Sequence, residues 1–409
     1  MKRNMKRNMK RKVLAICFSV LLLMIIAESA IKSSANDAEF VNLNTTVQDA
    51  ITEDVDNNLL YQINIKTTGR LNVVFEHDNL LDTKTYWIVY VYAEDLSTIL
   101  QTFRSTGTDE KLIGDSLGLS SGTYYIKVVS DDSCSDKLTY SEATYSLTPK
   151  FKATNNWEIE YNSKSKRTND EQNGASNAFV NKTTYGSIGS DDDVDFYKVT
   201  IPGNGYITLN FKHKNALTSD ICWYASLVNA KTDGICNVAS KGTRKSITTP
   251  AIGVTAGTYY IKITSGDDHY NTMAYNFTVK YTPSNSWEKE YNFKSGKFND
   301  KIANANTIKY KKTITGTISE KYDVDYYKIK LKSKKSVKVV FSHKYMPKKQ
   351  SYWKIYVYDS RLHRIASFRS KGVDDTTYRV LRLKKGTYFI KVTGNDDNYK
   401  TTKYNLTVK

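Results

Sequence analysis

A six-residue stretch used three times constrains this chain more than any other feature. Gly122-Thr123-Tyr124-Tyr125-Ile126-Lys127 returns as Gly257-Thr258-Tyr259-Tyr260-Ile261-Lys262 and as Gly386-Thr387-Tyr388-Phe389-Ile390-Lys391. A paired aspartate follows each copy: Asp131-Asp132, Asp267-Asp268 and Asp396-Asp397. One more aromatic strand then closes each: Tyr145-Ser146-Leu147-Thr148, Tyr275-Asn276-Phe277-Thr278 and Tyr404-Asn405-Leu406-Thr407. A turn glycine, a β-rich run, an acidic loop and a closing strand form the end of a β module. The spacing of roughly 130 residues is that of a whole domain, beyond the 20–50 residues of a solenoid repeat. The sequence therefore predicts three tandem copies of one domain, at 36–150, 151–280 and 281–409.

Residues 1–35 read as a targeting segment outside the fold. Met1 to Lys12 is basic and carries no acid, and an uncharged run from Val13 to Ala27 follows. That run is short for a membrane span, which needs about 20 residues. A cleaved secretory signal peptide is expected, with no stable membrane span after cleavage, and the long basic leader resembles those of Gram-positive bacteria. Cys17 would leave with the leader; Cys134, Cys222 and Cys236 remain, an odd number that argues against a disulfide framework. Strand alternation about a hairpin near Asn229–Lys231 turns Cys222 outward and Cys236 inward.

The overall charge of +18 conceals a gradient. Residues 36–150 hold 8 basic and 18 acidic side chains, whereas residues 281–409 hold 30 and 11. For a secreted chain, partners for the basic third module are anionic wall polymers, acidic polysaccharides or a membrane surface, ahead of nucleic acid. A merely solvated lysine surface gives the same composition.

Each module repeats the same strands. Leu71–Phe75, Ile207–Phe211 and Val337–Phe341 each lead to a histidine two residues on, His77, His213 and His343. A tryptophan strand follows, centred on Trp87, Trp223 or Trp353. In the third module Trp353, Ile355 and Val357 alternate with Tyr352, Lys354, Tyr356 and Tyr358, a half-buried strand of period two. About eight such runs occupy module three, near 312–319, 324–331, 336–343, 351–358, 363–369, 376–383, 387–393 and 402–408. The expected fold is all-β: three tandem antiparallel β-sandwich domains, jelly-roll-like. Helical turns are expected only near Glu171–Asn177 and Asn299–Asn306. The recurrent histidines have no second recurring histidine beside them and read as structural, and the tyrosines as solvent-face strand residues or a flat binding face.

Modules two and three open alike, with Trp157-Glu158-Ile159-Glu160-Tyr161-Asn162 and Trp287-Glu288-Lys289-Glu290-Tyr291-Asn292. Some 30 residues later come Asp193-Val194-Asp195-Phe196-Tyr197 and Asp323-Val324-Asp325-Tyr326-Tyr327. Alternate carboxylates on an extended chain project to one side. Two such segments together offer four carboxylates and an amide, hard oxygen donors of the kind Ca²⁺ takes. The other reading is of solvated strand-end acids paired with the abundant lysines.

The Glu-x-Glu-x-Asn opening, the Asp-x-Asp-x-Tyr strand and the Gly-Thr-Tyr-Tyr-Ile-Lys close resemble the bacterial pre-peptidase C-terminal domain family. Its relatives include the collagen-binding domains of clostridial collagenases. The resemblance spans nearly all of 151–280 and 281–409 and is weaker over 43–150. It implies a β-sandwich, often attached to secreted peptidases, with a calcium site between the opening segment and the sheet. Carried over, the ligands are Glu158, Glu160, Asn162, Asp193 and Asp195, then Glu288, Glu290, Asn292, Asp323 and Asp325. Asp192 is an alternative to Asp193. Two departures stand out. The family often has proline where this chain has Tyr161 and Tyr291. Module one lacks the opening motif, and aligning Tyr61 with Tyr197 sets Asn57 and Leu59 where acids should be, so no calcium site is expected there.

The chain lacks His-Glu-x-x-His and Gly-x-Ser-x-Gly motifs, and the repeats use all of it after about residue 43. The expectation is a secreted or cell-surface, non-catalytic binding protein whose ligand is an extracellular protein, a polysaccharide or the cell envelope. Alternatives are an accessory subunit targeting a separately encoded peptidase, and a self-associating surface protein.

Overall fold

The computed structural model describes residues 38–50, 59–81, 83–131, 144–266, 271–395 and 398–409. The leader, Cys17, Cys134, Asp54, Asp56, Asn57, His269 and most of the paired aspartates (Asp132, Asp267, Asp268, Asp396, Asp397) lie outside them. The chain divides into two compact units, residues 1–169 and 170–409. Among the described residues no helix is long and apolar enough to cross a membrane.

Module three shows the plan. One sheet orders the strands Asn306–Thr307, Val324–Leu331, Gly386–Gly394, Ser351–Tyr358 and Arg364–Lys371. The other orders Thr313–Gly316, Tyr404–Val408, Lys335–His343 and Thr376–Leu383. Eight of these nine strands match the eight runs read from periodicity. The ninth, Asn306–Thr307, pairs in parallel with Val324–Leu331, so the sheet is mixed. Val337, Val339, Phe341, Trp353, Ile355, Val357, Ile390 and Val392 fill the space between the sheets. The other modules repeat this core with Trp223, Phe211 and Ile261, and with Trp87, Phe75 and Ile126. A 3₁₀ turn forms at Ile302–Asn304, inside one of the two stretches where a helical turn is expected.

The recurring motifs have structural explanations. The first tyrosine of each Gly-Thr-Tyr motif donates its hydroxyl to a carbonyl four residues upstream: Tyr124 to Ser120 at 3.0 Å, Tyr259 to Thr255 at 2.9 Å and Tyr388 to Lys384 at 3.0 Å. This pins the turn before the strand, as tyrosine corners do in other sandwiches. His77, His213 and His343 bond through Nε2 to Ser105, Ser240 and Ser370 at 2.9, 2.9 and 3.1 Å. Each ring also lies 4.1–4.3 Å from the module's tryptophan ring. The histidines belong to the core, as their isolation in the sequence suggested.

The tryptophan strands depart from simple alternation. Each carries a bulge just before its tryptophan, between Thr85 and Trp87, Ile221 and Trp223, and Ser351 and Trp353. A bulge sets two residues against one and breaks the period of two. Tyr86, Cys222 and Tyr352 are therefore buried beside the tryptophans instead of facing out. The outward placement expected for Cys222 is wrong for this reason; it and the half-buried Cys236 are both free thiols.

The modules join by sharing strands. In the first unit, Tyr161 pairs in parallel with Leu119, and Tyr161–Asn162 and Arg167–Thr168 extend the module-one sheet as a hairpin. In the second unit, Tyr291 pairs with Val254, and Tyr291–Asn292 and Lys297–Phe298 extend the module-two sheet likewise. Each opening segment thus completes the sheet of the module before it. A glycine permits each approach: a Cβ on Gly118 would lie 2.1 Å from the Glu158 carbonyl oxygen, and one on Gly253 would lie 2.0 Å from that of Glu288. The segment's tryptophan then stacks beside the glycine, Trp287 on Tyr206 at 4.1 Å and Trp157 under the Arg70 guanidinium at 4.8 Å. In module three the position opposite Ser336 that corresponds to Gly118 and Gly253 is the exposed Arg382.

Candidate metal centre

The opening segment of module three is held from both sides within the second unit. Tyr291 pairs with the module-two strand, while Glu288 N–H donates to Thr315 O at 2.8 Å and Thr315 N–H to Ser286 O at 2.7 Å. Extended between these ties, the segment turns Glu288 and Glu290 inward. The hairpin then returns, and Asn299 N–H donates to Glu290 O at 3.1 Å. Asn299 in turn accepts Tyr326 N–H at 3.2 Å, which docks the segment on the start of the strand bearing Asp323 and Asp325.

Four carboxylates and an amide consequently meet out of water. Asp325 is 0% exposed, Glu288 and Asn299 are 1%, and Glu290 and Asp323 are 5%. Oxygens of Glu288, Glu290 and Asp325 lie within 4.8 Å of one another, as do oxygens of Glu290, Asp300 and Asp323. Glu290 links the two groups.

Part of this oxygen set has partners. Glu288 Oε1 accepts Thr317 N–H at 2.7 Å, and its Oε2 accepts the Tyr327 hydroxyl at 2.5 Å. Asp325 Oδ1 accepts Asn299 Nδ2 at 2.8 Å, and its Oδ2 accepts the Tyr404 hydroxyl at 2.5 Å. Asp323 Oδ2 accepts Ser319 N–H, and Asp300 Oδ1 accepts Val324 N–H at 3.2 Å. Three buried acceptors are left without a hydrogen-bond partner: Glu290 Oε2, Asp323 Oδ1 and Asn299 Oδ1. No lysine or arginine pairs with any of these acids among the described residues.

Burial raises every carboxyl in the cluster, and mutual repulsion adds to it at Glu288, Glu290, Asp323 and Asp325. Burial first, then the charges of Glu290 and Asp323, pushes Glu288 up to about 8. Burial, with Asp300 and Glu320 adding, pushes Asp323 up to about 7. Glu290 and Asp325 lie well above the ordinary carboxylate range for the same reasons. Glu288, Glu290, Asp323 and Asp325 are neither solvated nor lysine-paired, so that alternative from the sequence does not hold for them. Such a group must keep protons or hold a cation. The donors are all hard oxygens, with no sulfur or imidazole, which suits Ca²⁺, Mg²⁺ or Mn²⁺ over zinc or copper. The unpartnered buried oxygens fit such an ion.

Of the residues expected in module three, the structure brings together Glu288, Glu290, Asp323 and Asp325. Asn292 is placed differently: its Oδ1 accepts Ser295 N–H at 3.3 Å in the hairpin turn. Asn299 supplies the buried amide instead, with Asp300 beside it. Neither was read from the sequence, although Asn169-Asp170 and Asn299-Asp300 recur at one offset from their opening motifs.

The five residues expected in module two fall on both sides of the unit boundary. In the first unit Glu158 is buried, Glu160 N–H donates to Gly118 O at 2.8 Å, and Asn162 Oδ1 accepts Lys164 N–H at 3.1 Å. In the second, Asp193 Oδ2 accepts Gly189 N–H at 2.6 Å and Asp195 accepts the Tyr275 hydroxyl. Burial, reinforced by Asp195, pushes Asp193 up to about 8.

All three modules bury a hydroxyl-to-hydroxyl tyrosine pair at 2.6 Å: Tyr61 with Tyr145, Tyr197 with Tyr275, and Tyr327 with Tyr404. In module one Leu59 stands where Asp195 and Asp325 stand in the others, and the acceptor is Asp49 Oδ2, 3.0 Å from the Tyr61 hydroxyl. Asp49 lies opposite Tyr145, the place Gly186 and Gly316 take opposite Tyr275 and Tyr404. A Cβ on Gly316 would lie 2.6 Å from Glu288 Oε2, so this glycine makes room for the incoming carboxylate.

No known protein family matches the chain, and no curated protein matches it. Among solved structures, the pre-peptidase C-terminal domain of a collagenase from Bacillus anthracis is similar over 26% of this chain and 94% of its own, at 19% identity and a TM-score of 0.21. The CUB1-EGF-CUB2 region of human MASP-1/3 covers 58% of this chain and 100% of its own, at 11% identity and a TM-score of 0.18. CorA, a surface-associated copper-binding protein of Methylomicrobium album BG8, covers 26% and 96%, at 10% identity and a TM-score of 0.19. None of these likenesses bears on function.

Proposed function

We propose that this chain is a secreted or cell-surface, non-catalytic binding protein of three pre-peptidase C-terminal-like modules, stiffened by Ca²⁺ and adhering to an extracellular protein, polysaccharide or cell envelope. The observation that carries the reading is the buried oxygen cluster of module three, with its three unpartnered acceptors. Glu288, Glu290 and Asn299 come from the opening segment, and Asp323 and Asp325 from the sheet. A cation held by both would lock the segment that also completes the module-two sheet, making the tandem stiff enough to present several weak binding faces at once. Linked weak sites gain avidity by roughly 10²–10⁴ when their geometry is fixed. Extracellular modules commonly bind calcium at about 10⁻⁴–10⁻³ M, which favours Ca²⁺ over the reluctantly dehydrating Mg²⁺. Catalysis is no part of this reading.

Calorimetry of the full chain in millimolar Ca²⁺ and in EGTA tests it. Saturating Ca²⁺ raises the melting of residues 170–409 by about 5–10 °C, the range expected for ligand at about 100 times its Kd. Identical melting in the two buffers would falsify the cation reading.

A further inference from the structure

One end of module three's sandwich is built from lysine. The turn between the strands Val324–Leu331 and Lys335–His343 carries Lys332, Lys334 and Lys335, and the turn from Leu383 to Gly386 carries Lys384 and Lys385. Register sets these two turns side by side, since Leu331 pairs with Gly386 and Lys335 with Leu383. A third segment, 308–313, brings Lys309, Lys311 and Lys312. Lys311 N–H donates to Val408 O at 2.8 Å, and the Lys335 ammonium lies 4.2 Å from the Tyr310 ring centre. All of these lysines are exposed except the half-buried Lys335. Residues 308–313, 328–338 and 380–387 include no Asp or Glu, and no acid pairs with any of the eight lysines among the described residues. The acid cluster is at the other end of the same strand, where Asp325 pairs with Val392, about 20 Å away at the rise of a strand.

The fold does not require this arrangement. Module two forms the same three turns with Pro202, Gly203 and Asn204, with Thr255 and Ala256, and with Phe179, Asn181 and Lys182. In modules one and two the second of these turns also seats the hairpin of the next opening segment: Ser163 N–H donates to Ser120 Oγ at 2.8 Å, and Phe293 N–H to Thr255 Oγ1 at 2.9 Å. Module three sets the exposed Lys384 and Lys385 there instead. Lys311 holds a left-handed φ of 62°, at the position where the other modules use Asn44 and Asn181 at 64° and 62°. Asparagine tolerates that conformation better than lysine, so the backbone gains nothing from the exchange. Crowded ammonium groups repel one another and weaken the fold unless an anionic partner joins them.

The composition of this end also selects its partner. Lysines on flexible stems present separate point charges, without the arginine fork that suits one planar anion. The one aromatic ring on these turns, Tyr310, is half-buried beside the Lys335 ammonium, which leaves no open platform for a sugar ring or a base. Charges spread over three turns match an extended anionic surface, whose headgroup phosphates can meet every turn at once, ahead of a chain held in a groove.

We propose that module three docks by this lysine end on an anionic lipid bilayer, its ammonium groups meeting headgroup phosphates. The inference deepens the binding reading above, naming the lipid surface as the part of the envelope that this module meets; it rests on that reading and not on the cation.

The test measures binding of the full chain, in constant Ca²⁺, to vesicles of phosphatidylglycerol in phosphatidylcholine, vesicles of phosphatidylcholine alone, heparin, single-stranded DNA, collagen and neutral dextran. The phosphatidylglycerol vesicles should bind it tightest, pure phosphatidylcholine should not bind it, and NaCl at about 0.5 M should release it. A lysine held near such a surface adds about fivefold to partitioning. The Lys332→Gln/Lys334→Gln/Lys384→Gln/Lys385→Gln variant should therefore weaken binding at least about 30-fold, and Lys332→Arg/Lys334→Arg/Lys384→Arg/Lys385→Arg should retain it. Lys344→Gln/Lys348→Gln/Lys349→Gln/Lys371→Gln, which removes equal charge at the other end of the sandwich, should change it less than about 3-fold. Equal loss in the two glutamine variants overturns the site, as does binding to pure phosphatidylcholine or binding that salt does not weaken. Tighter binding of heparin, or binding of collagen or dextran alone, overturns the inference while leaving the broader binding reading intact. Tightest binding of DNA, or binding of nothing, overturns both.

Discussion

Modules one and three bury the same tyrosine pair against an acid, but obtain that acid from different places. In module one a single carboxylate, Asp49, grows from the neighbouring strand and accepts the Tyr61 hydroxyl. In module three that strand position is Gly316, and two carboxylates, Glu288 from outside the sandwich and Asp325 from within it, serve Tyr327 and Tyr404. One acid beside two hydroxyls is a closed hydrogen-bonding arrangement. Two acids, with Glu290 and Asp323 behind them, carry more negative charge than hydroxyls can stabilise. The difference teaches that the tyrosine pair belongs to the fold, whereas the surplus of oxygen belongs to module three and to how it joins module two.

The pH dependence of stability should separate the two regions most. Without a cation, Glu288 and Asp323 hold protons to about pH 8 and 7 in the folded chain but release them near 4.5 and 3.8 when unfolded. The folded state then binds more protons across that window, so stability is greatest below about pH 4.5 and falls as pH rises through 8. In EGTA the loss for residues 170–409 is expected to be on the order of 3 kcal/mol. Ca²⁺ should flatten that slope while the melting of residues 38–169 follows its own course. A chelated second unit as stable at pH 8 as at pH 5 would break the comparison.

Steric exchange comes next. Gly316→Ala drives a methyl into the Glu288 carboxylate and should cost about 2 kcal/mol by denaturant titration, along with weaker calcium binding. The reciprocal Asp49→Gly leaves the module-one tyrosines without their acceptor and should cost about 1–3 kcal/mol with no change in calcium response. If both variants alter calcium affinity alike, the two sites are not different in kind. The smallest effect concerns what the modules share. Ser105→Ala, Ser240→Ala and Ser370→Ala each remove the histidine's hydroxyl partner and should each cost about 1 kcal/mol. Unequal losses would show that the histidine–tryptophan stack differs between modules.

Much of the architecture was legible because strand periodicity and a threefold motif are local signals. The strands of module three fell where alternation of Val337, Val339 and Phe341, or of Trp353, Ile355 and Val357, put them. Bulges were not legible: nothing about Tyr86, Cys222 or Tyr352 distinguishes a residue squeezed in beside a tryptophan from one facing water. The acids of the candidate centre were readable from their spacing on extended chain. Asn299 and Asp300 were not, since their place depends on a hairpin whose closing partner is Glu290. Nor could sequence show that Tyr291 pairs with Val254, because a parallel bridge across a module boundary leaves no pattern in either segment.

Arg382 makes the seat for an opening segment a property of individual modules and not of the shared sandwich. Any residue with a Cβ there bars the close backbone approach that Gly118 and Gly253 allow, so a segment like Trp287–Asn292 can lie against modules one and two in a way that the third module's own sheet does not offer.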